Sequence, residues 1–191
     1  MYCYGSWSGH LIIKREVVFV KILTTQIGGL LQRIGSAGED SIEETARLLA
    51  QAAIGEGRVI FAAFDEMEAV LLSAQFGAEP FQGAVRYEKD IDIQSADRVW
   101  ILTRSAQDER ALALARHLSE QFIPFAVTAG EKADDQNELS DLAYTYISSG
   151  LTKGLLPGPT GERIVQPHAL AALFIYEAVK MAYDEMVSDE D

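Results

Sequence analysis

Val99-Trp100-Ile101-Leu102-Thr103-Arg104-Ser105-Ala106-Gln107-Asp108-Glu109-Arg110 is the stretch on which the fold turns. Bulky, partly β-branched apolar residues make a buried strand, hydroxyl residues close it, and the Ala-, Leu- and Glu-rich run Ala106–Gln121 that follows has helical periodicity. A buried strand feeding a helix through a short turn is the repeating unit of parallel sheets, because parallel neighbours need a crossover connection. Outward from this stretch the unit repeats. Arg58–Ala63 and Ala84–Tyr87 read as strands before it, Pro124–Thr128 and Tyr144–Ser148 as strands after it, and Glu66–Phe76 as a helix. The pattern predicts an α/β fold, a three-layer α/β/α sandwich around a mainly parallel five-stranded sheet.

Further upstream, Ile27, Leu30, Leu31 and Ile34 recur at three- and four-residue spacing and Gly35 follows, which predicts a short helix stopping there. Ser41 and Glu44 have capping-box spacing, and Ile42, Ala46, Leu49 and Ala53 carry a second helix to Gly55-Glu56-Gly57. Downstream, Gly150–Gly161 holds four glycines and two prolines and reads as one long loop. Ile164–Met186 reads as a closing helix. The aromatic and Gly/Ser-rich Met1–Gly9, followed by an apolar run broken by Lys14, Arg15 and Glu16, sets residues 1–20 apart as an atypical extension, with the natural start expected near Val20. A single domain is expected over 21–186, and 187–191 reads as an acidic tail.

A chain of 191 residues, 48% hydrophobic, is large enough to bury one core. No run approaches the roughly 18 consecutive apolar residues that span a membrane, so no membrane partner is expected. Cys3 is the only cysteine, which excludes an internal disulfide and fits a reducing, cytoplasmic setting. The net charge of -13 argues against nucleic acid, whose binding rests on clustered Lys and Arg. His10, His117 and His168 stand far apart without metal-ligand spacing, and neither a metal nor a cofactor is expected.

In open α/β sheets ligands sit beyond the carboxyl ends of the strands, which points to Phe64–Met67, Thr103–Asp108 and Thr128–Glu131. Thr103 and Ser105, at a strand-to-helix junction, are placed to add hydroxyl donors to the free amides that bind an anion. The same residues are equally suited to capping the Ala106–Gln121 helix.

Three segments carry a family resemblance. Ala96-Asp97-Arg98-Val99-Trp100-Ile101-Leu102-Thr103-Arg104-Ser105 resembles the SIS (sugar isomerase) pattern of an aspartate, a buried strand and a hydroxyl-rich turn before a helix. Ile123-Pro124-Phe125-Ala126-Val127-Thr128 resembles the next SIS strand, and Glu162-Arg163-Ile164-Val165-Gln166-Pro167-His168 is similar to the phosphoheptose isomerase segment that sets a histidine on the last helix. The likeness runs from Ser41 to Met181. It implies a Rossmann-like, flavodoxin-like sheet and a sugar-phosphate ligand, with Thr103, Arg104 and Ser105 holding the phosphate and His168 shuttling protons in an aldose–ketose isomerisation. The chain departs from the family where Ala63-Phe64-Asp65-Glu66-Met67 replaces a Gly-rich turn, putting Asp65 and Glu66 at the ligand, and where Asp108 replaces the last hydroxyl. Arg104, Lys153 and Arg163 are the cations available to the anion, and each is equally read as a surface cation. The carboxylate that the isomerases carry on their first helix falls near Ser73–Phe76, where Gln75 cannot take a proton and Glu68 and Glu79 flank it. Two functions follow from the resemblance: sugar-phosphate binding with isomerase activity, or a non-catalytic binding or regulatory module on the same scaffold. His168 has its own alternative, capping the last helix or bonding across a subunit interface. The apolar surfaces of the first and last helices, larger than one stripe requires, predict a homodimer or higher homo-oligomer.

Overall fold

The computed structural model describes residues 9–134 and 136–188, with side chains from residue 19. Of the stretch read as an extension, residues 1–8 lie outside the described residues and 9–20 run into the first helix; 189–191 of the acidic tail also lie outside.

The strands form where the apolar runs predicted them: β1 (Val59–Ala63), β2 (Ala84–Arg86), β3 (Arg98–Leu102), β4 (Phe125–Ala129) and β5 (Thr145–Ser148). They pair in parallel in the order β2-β1-β3-β4-β5, the flavodoxin-like doubly wound order. Register runs from Val59 opposite Arg98 to Ala63 opposite Leu102, and from Val99 opposite Phe125 to Leu102 opposite Thr128. Strand alternation then divides the core. Val59, Phe61, Trp100, Leu102, Ala126 and Ile147 point to one face; Ile60, Ala62, Val99, Ile101, Phe125 and Val127 point to the other. Helices cover both faces, which accounts for strands apolar on both sides.

The first face is covered by α1 (Gly9–Ile54), α2 (Glu68–Phe76) and α5 (His168–Ser188), the second by α3 (Glu109–Glu120) and α4 (Glu138–Leu142). The two helices expected before Gly57 are one helix of 46 residues. Gly35 does not end it, because tertiary packing outweighs its propensity. A helical glycine costs about 1 kcal/mol relative to alanine, whereas each buried Leu or Ile contributes roughly 1.5–3 kcal/mol, and Leu30, Ile34, Leu48 and Leu49 are all buried in the same core. A Cβ at Gly35 would lie 3.8 Å from Cζ of Phe174 on α5, so the glycine lies where the two helices meet. That packing also covers the face of the first helix that was expected to need a partner: Leu23, Ile27, Leu31 and Phe174 pack on the shared core.

The segment expected to be one loop, Gly150–Gly161, contains half of a small hairpin. Here β6 (Leu156–Pro157) pairs antiparallel with β7 (Arg163–Ile164), and buried Leu151, Leu155 and Leu156 hold it against the core. The closing helix therefore begins at His168 rather than Ile164. Pro167 sets its first turn, its carbonyl accepting the Ala171 N–H at 3.0 Å. α4, not anticipated, is one short helix that Asn137 caps by accepting the Ser140 N–H at 3.1 Å.

Candidate functional site

The strand order reverses between β1 and β3, so their connections leave the sheet in opposite directions and open a crevice beyond their carboxyl ends. Three segments line it: 64–67 after β1, 103–108 after β3 and 130–131 after β4. The N-terminus of α5 packs against the short 3₁₀ turn Asp65–Met67 and brings His168 to the same place.

Asp65 has φ +54°, in the left-handed region, which an aspartate tolerates better than most side chains. Its carboxylate accepts from Arg110 Nη2 at 2.6 Å, and the Arg110 guanidinium lies 5.1 Å above the Phe64 ring. Glu66 accepts from Arg104 Nε at 2.9 Å and also from Nη2. These bonds hold the Glu66 carboxyl below its ordinary pKa, against the opposing effect of burial. The two acids that replace the family's glycine turn are thus each tied to an arginine.

Neither Thr103 nor Ser105 caps α3. The cap is Asp108, whose Oδ1 accepts the Arg110 N–H at 2.9 Å. The Arg110 guanidinium holds the Asp108 carboxyl below its ordinary range. Thr103, buried, donates from Oγ1 to the Ser105 carbonyl at 3.2 Å, and its N–H reaches the Thr128 carbonyl at 3.0 Å.

The residue that sequence reasoning passed over is Glu131. Ser105 Oγ donates to its Oε1 at 2.7 Å, and the Ala106 N–H donates to its Oε2 at 2.7 Å. Ser105 Oγ in turn accepts the Gln107 N–H at 3.1 Å. One carboxylate therefore fills the two-donor seat that the hydroxyl-rich turn provides. The only signal in the sequence was position: Thr128–Glu131 is a strand end, but nothing local says where the Glu131 side chain goes.

His168, 7% exposed, is the first residue of α5. Its ring nitrogens make no hydrogen bond to any described residue. Burial pushes the imidazole pKa below its ordinary value, and Arg104 adds to this, while Glu66 and Glu131 act in the opposite sense. It stands among the other groups of the crevice and caps nothing. The remaining cations and acids fall elsewhere: Arg163 donates to the carbonyls of Gly154 and Leu155, Lys153 and Glu79 are exposed, and Glu68 pairs with Arg86 at 2.8 Å. Gln75 lies at the end of α2, near the amino end of the sheet rather than in the crevice. His117 is exposed on α3, and the side chain of His10 lies outside the described residues.

A family model described as a domain of unknown function, DUF2529, matches residues 19–187. The chain belongs to the DUF2529 family. This DUF2529 chain is 28% identical over 171 residues to the uncharacterized protein YwjG of Bacillus subtilis (strain 168), covering 89% of this chain and 98% of YwjG. Among solved structures, the Vibrio vulnificus NanR protein complexed with ManNAc-6P superposes with a TM-score of 0.66 at 14% identity, covering 90% of this chain and 64% of NanR. The chain spans less than two thirds of that protein's length. The E. coli CFT073 protein c3406, in complex with a sugar phosphate, superposes with a TM-score of 0.63 at 12% identity over 92% of this chain and 93% of its own. The sugar isomerase domain of an RpiR transcription factor from Sphaerobacter thermophilus gives 0.58 at 11% identity over 90% of each chain. The DUF2529 chain has the SIS fold. No helix among the described residues is long and apolar enough to cross a membrane.

Proposed function

We propose that this protein binds a sugar phosphate in the crevice between β1 and β3, as a binding or regulatory SIS module. The observation that carries the reading is the convergence of the Ser105 hydroxyl and the Ala106 N–H on one point, where they already hold an anionic group. Arg104, on the same turn, is held by an exposed ion pair with Glu66, of the kind worth about 0–1 kcal/mol, while Arg110 is tied to both Asp65 and Asp108 and lies over the Phe64 ring. Arg104 can turn toward a ligand at little cost, and Arg110 adds positive charge from where it is held. NanR, complexed with ManNAc-6P, and c3406, complexed with a sugar phosphate of its own, share the fold.

A second reading, isomerisation of the phosphoheptose type, is favoured by His168, whose ring nitrogens have no hydrogen-bond partner among the described residues and which sits beside Glu66. Proton transfer between adjacent carbons needs such a base. A cytoplasmic setting and self-association belong to the same proposal, with a second copy of the chain covering Phe19, Val20 and Ile22, which are 54%, 65% and 42% exposed on α1. Light scattering that returns 21.0 kDa at micromolar concentration removes the dimer.

The test is thermal-shift titration with phosphorylated sugars, starting from ManNAc-6P and arabinose 5-phosphate, each beside its unphosphorylated counterpart. A ligand at 100 times its Kd stabilises the fold by about 2.7 kcal/mol. Ser105→Ala is expected to weaken binding by about 1.5–3 kcal/mol, one hydrogen bond to a charged group. The absence of a shift with every phosphorylated sugar refutes the proposal. Solvent deuterium entering C2 of an aldose phosphate, and lost in His168→Gln, would establish the isomerase.

A further inference from the structure

A carboxylate in an anion seat raises the question of what happens when a stronger anion arrives. We propose that Glu131 is an internal substitute for the ligand's phosphate and the specificity-determining residue of this site: the phosphate enters by displacing its side chain. The inference rests on the reading of the crevice as a sugar-phosphate site.

Three observations carry it. The first is the match between donors and occupant. Ser105 Oγ and the Ala106 N–H each meet a different oxygen of the Glu131 carboxylate at 2.7 Å, the short, charge-assisted geometry that either a carboxylate or a phosphate satisfies. Both anions cannot hold these two donors together.

The second is that the seat opens by side-chain rotation alone. The backbone around Glu131 is pinned on both sides. The Gly130 N–H donates to the Arg104 carbonyl at 3.2 Å, and a Cβ at Gly130 would lie 2.8 Å from that oxygen and 2.9 Å from the Leu151 carbonyl oxygen, so only glycine allows the approach. Past Glu131, the Tyr146 hydroxyl donates to the Glu131 carbonyl at 2.9 Å, and Asn137 Nδ2 donates to both Tyr146 Oη and the Lys132 carbonyl. The main chain stays where it is while the half-buried side chain turns out to solvent.

The third is charge. The crevice holds four carboxylates, Asp65, Glu66, Asp108 and Glu131, against two guanidiniums, Arg104 and Arg110. Three of the four are fixed by arginine. Glu131 alone is held by neutral donors, so it is the acid that leaves without breaking an ion pair. A phosphate that entered with all four in place would add like charge at contact distance, which is unfavourable even where solvent screens it. A neutral sugar has no means of expelling the carboxylate, and that asymmetry is the source of the specificity.

The proposal is tested on the full chain by calorimetric titration of arabinose 5-phosphate and ManNAc-6P into the unaltered protein, Glu131→Gln and Glu131→Ala, with acetate as a second probe. Glu131→Gln has nearly the same shape and guards against a folding defect in the alanine variant. Affinity for the sugar phosphate is expected to rise in the order unaltered protein, Glu131→Gln, Glu131→Ala, with about tenfold or more between the ends, the worth of one charge-assisted hydrogen bond. Acetate is expected to compete with the sugar phosphate in Glu131→Ala, where it refills the seat, and not in the unaltered protein. The Ala106 amide resonance is expected to move on Glu131→Ala and again on ligand addition. Equal affinity in all three proteins overturns the displacement and leaves sugar-phosphate binding standing. Weaker binding in the variants also overturns it and makes Glu131 a direct ligand contact. No binding by any of them, including Glu131→Ala, overturns the displacement and the sugar-phosphate reading together.

Discussion

The carboxylate of Asp97 grips both the backbone and the side chain of Arg58: Oδ1 accepts the Arg58 N–H at 2.8 Å and Nε at 3.2 Å, and Oδ2 accepts Nη2 at 2.6 Å. Oδ2 also takes the Gln94 N–H at 2.9 Å. The clamp joins the start of β1 to the turn before β3, below the crevice. Burial pushes the Asp97 carboxyl up, but the bonds from Arg58 and Gln94 outweigh it and hold the group below its ordinary range. Its folded pKa is therefore below its unfolded one, and its contribution is complete above the ordinary carboxylate range and lost as pH falls through the folded value. Asp97→Asn is expected to lower stability at neutral pH by about 2 kcal/mol, the cost of weakened bonds to a buried group, and to flatten the acid limb of the unfolding profile. Urea unfolding as a function of pH measures both; an unchanged acid limb refutes the role given to Asp97.

For His168 the sign comes out the same way, for a different reason. Burial disfavours its charged form, so the folded pKa lies below the ordinary 6.5. Above that pH both states are neutral and nothing is lost; as pH falls below it the unfolded chain takes up a proton first and stability declines. The imidazole resonance of His168 is expected to titrate below 6.5 and to shift when a sugar phosphate binds. A midpoint above the ordinary value would contradict the burial described.

Asp108 caps α3 and also adds negative charge to the crevice, and two substitutions separate these roles. Asp108→Ala removes the cap and is expected to cost about 1 kcal/mol. Asp108→Ser keeps a capping oxygen while removing the charge, so stability is expected to hold within about 0.5 kcal/mol and sugar-phosphate affinity to rise. Equal loss of stability in both variants would show that the ion pair with Arg110, rather than the cap, is what matters.

Tyr176 is buried against Phe61, Phe81 and Trp100, and its hydroxyl has no hydrogen-bond partner among the described residues. Burial pushes its pKa up to about 12. An unmet buried hydroxyl costs roughly 1–3 kcal/mol. Tyr176→Phe is therefore expected to raise the unfolding temperature, by roughly 2–4 °C for each kcal/mol recovered in a domain of this size. A lower melting temperature would refute it.

How far these features could be read beforehand depends on what each one rests on. β1, β3 and β4 were legible because runs such as Val99–Leu102 are apolar on both faces and bounded by turn residues, a pattern internal to the segment. The continuity of α1 was not, because it depends on Phe174 meeting Gly35 from a helix far along the chain, and local propensity points the other way. The two-residue strands β6 and β7 are too short to show a period. In the crevice, Thr103, Arg104, Ser105 and Asp108 are visible as a strand end, suited by type to a ligand or, for the hydroxyls, to a helix cap, but nothing local names the partners they take. The protein supplies its own: Asp108 takes the N-cap of α3, a local pairing that an aspartate just before a helix allows, and Glu131 turns to Ser105, a non-local pairing that no spacing rule encodes.

Trp100 lies directly under these groups. It is fully buried, its indole Nε1–H donates to Thr128 Oγ1 at 3.1 Å, and the Thr128 carbonyl is the acceptor for the Thr103 N–H that starts the crevice loop. The fold thus carries its own optical reporter. Trp7 is the only other indole in the chain and lies outside the described residues, so a Trp7→Phe protein has a single emitter, two hydrogen bonds from Thr103. Its emission reads rearrangement at the floor of the crevice directly, with no dye attached and no residue of the crevice altered.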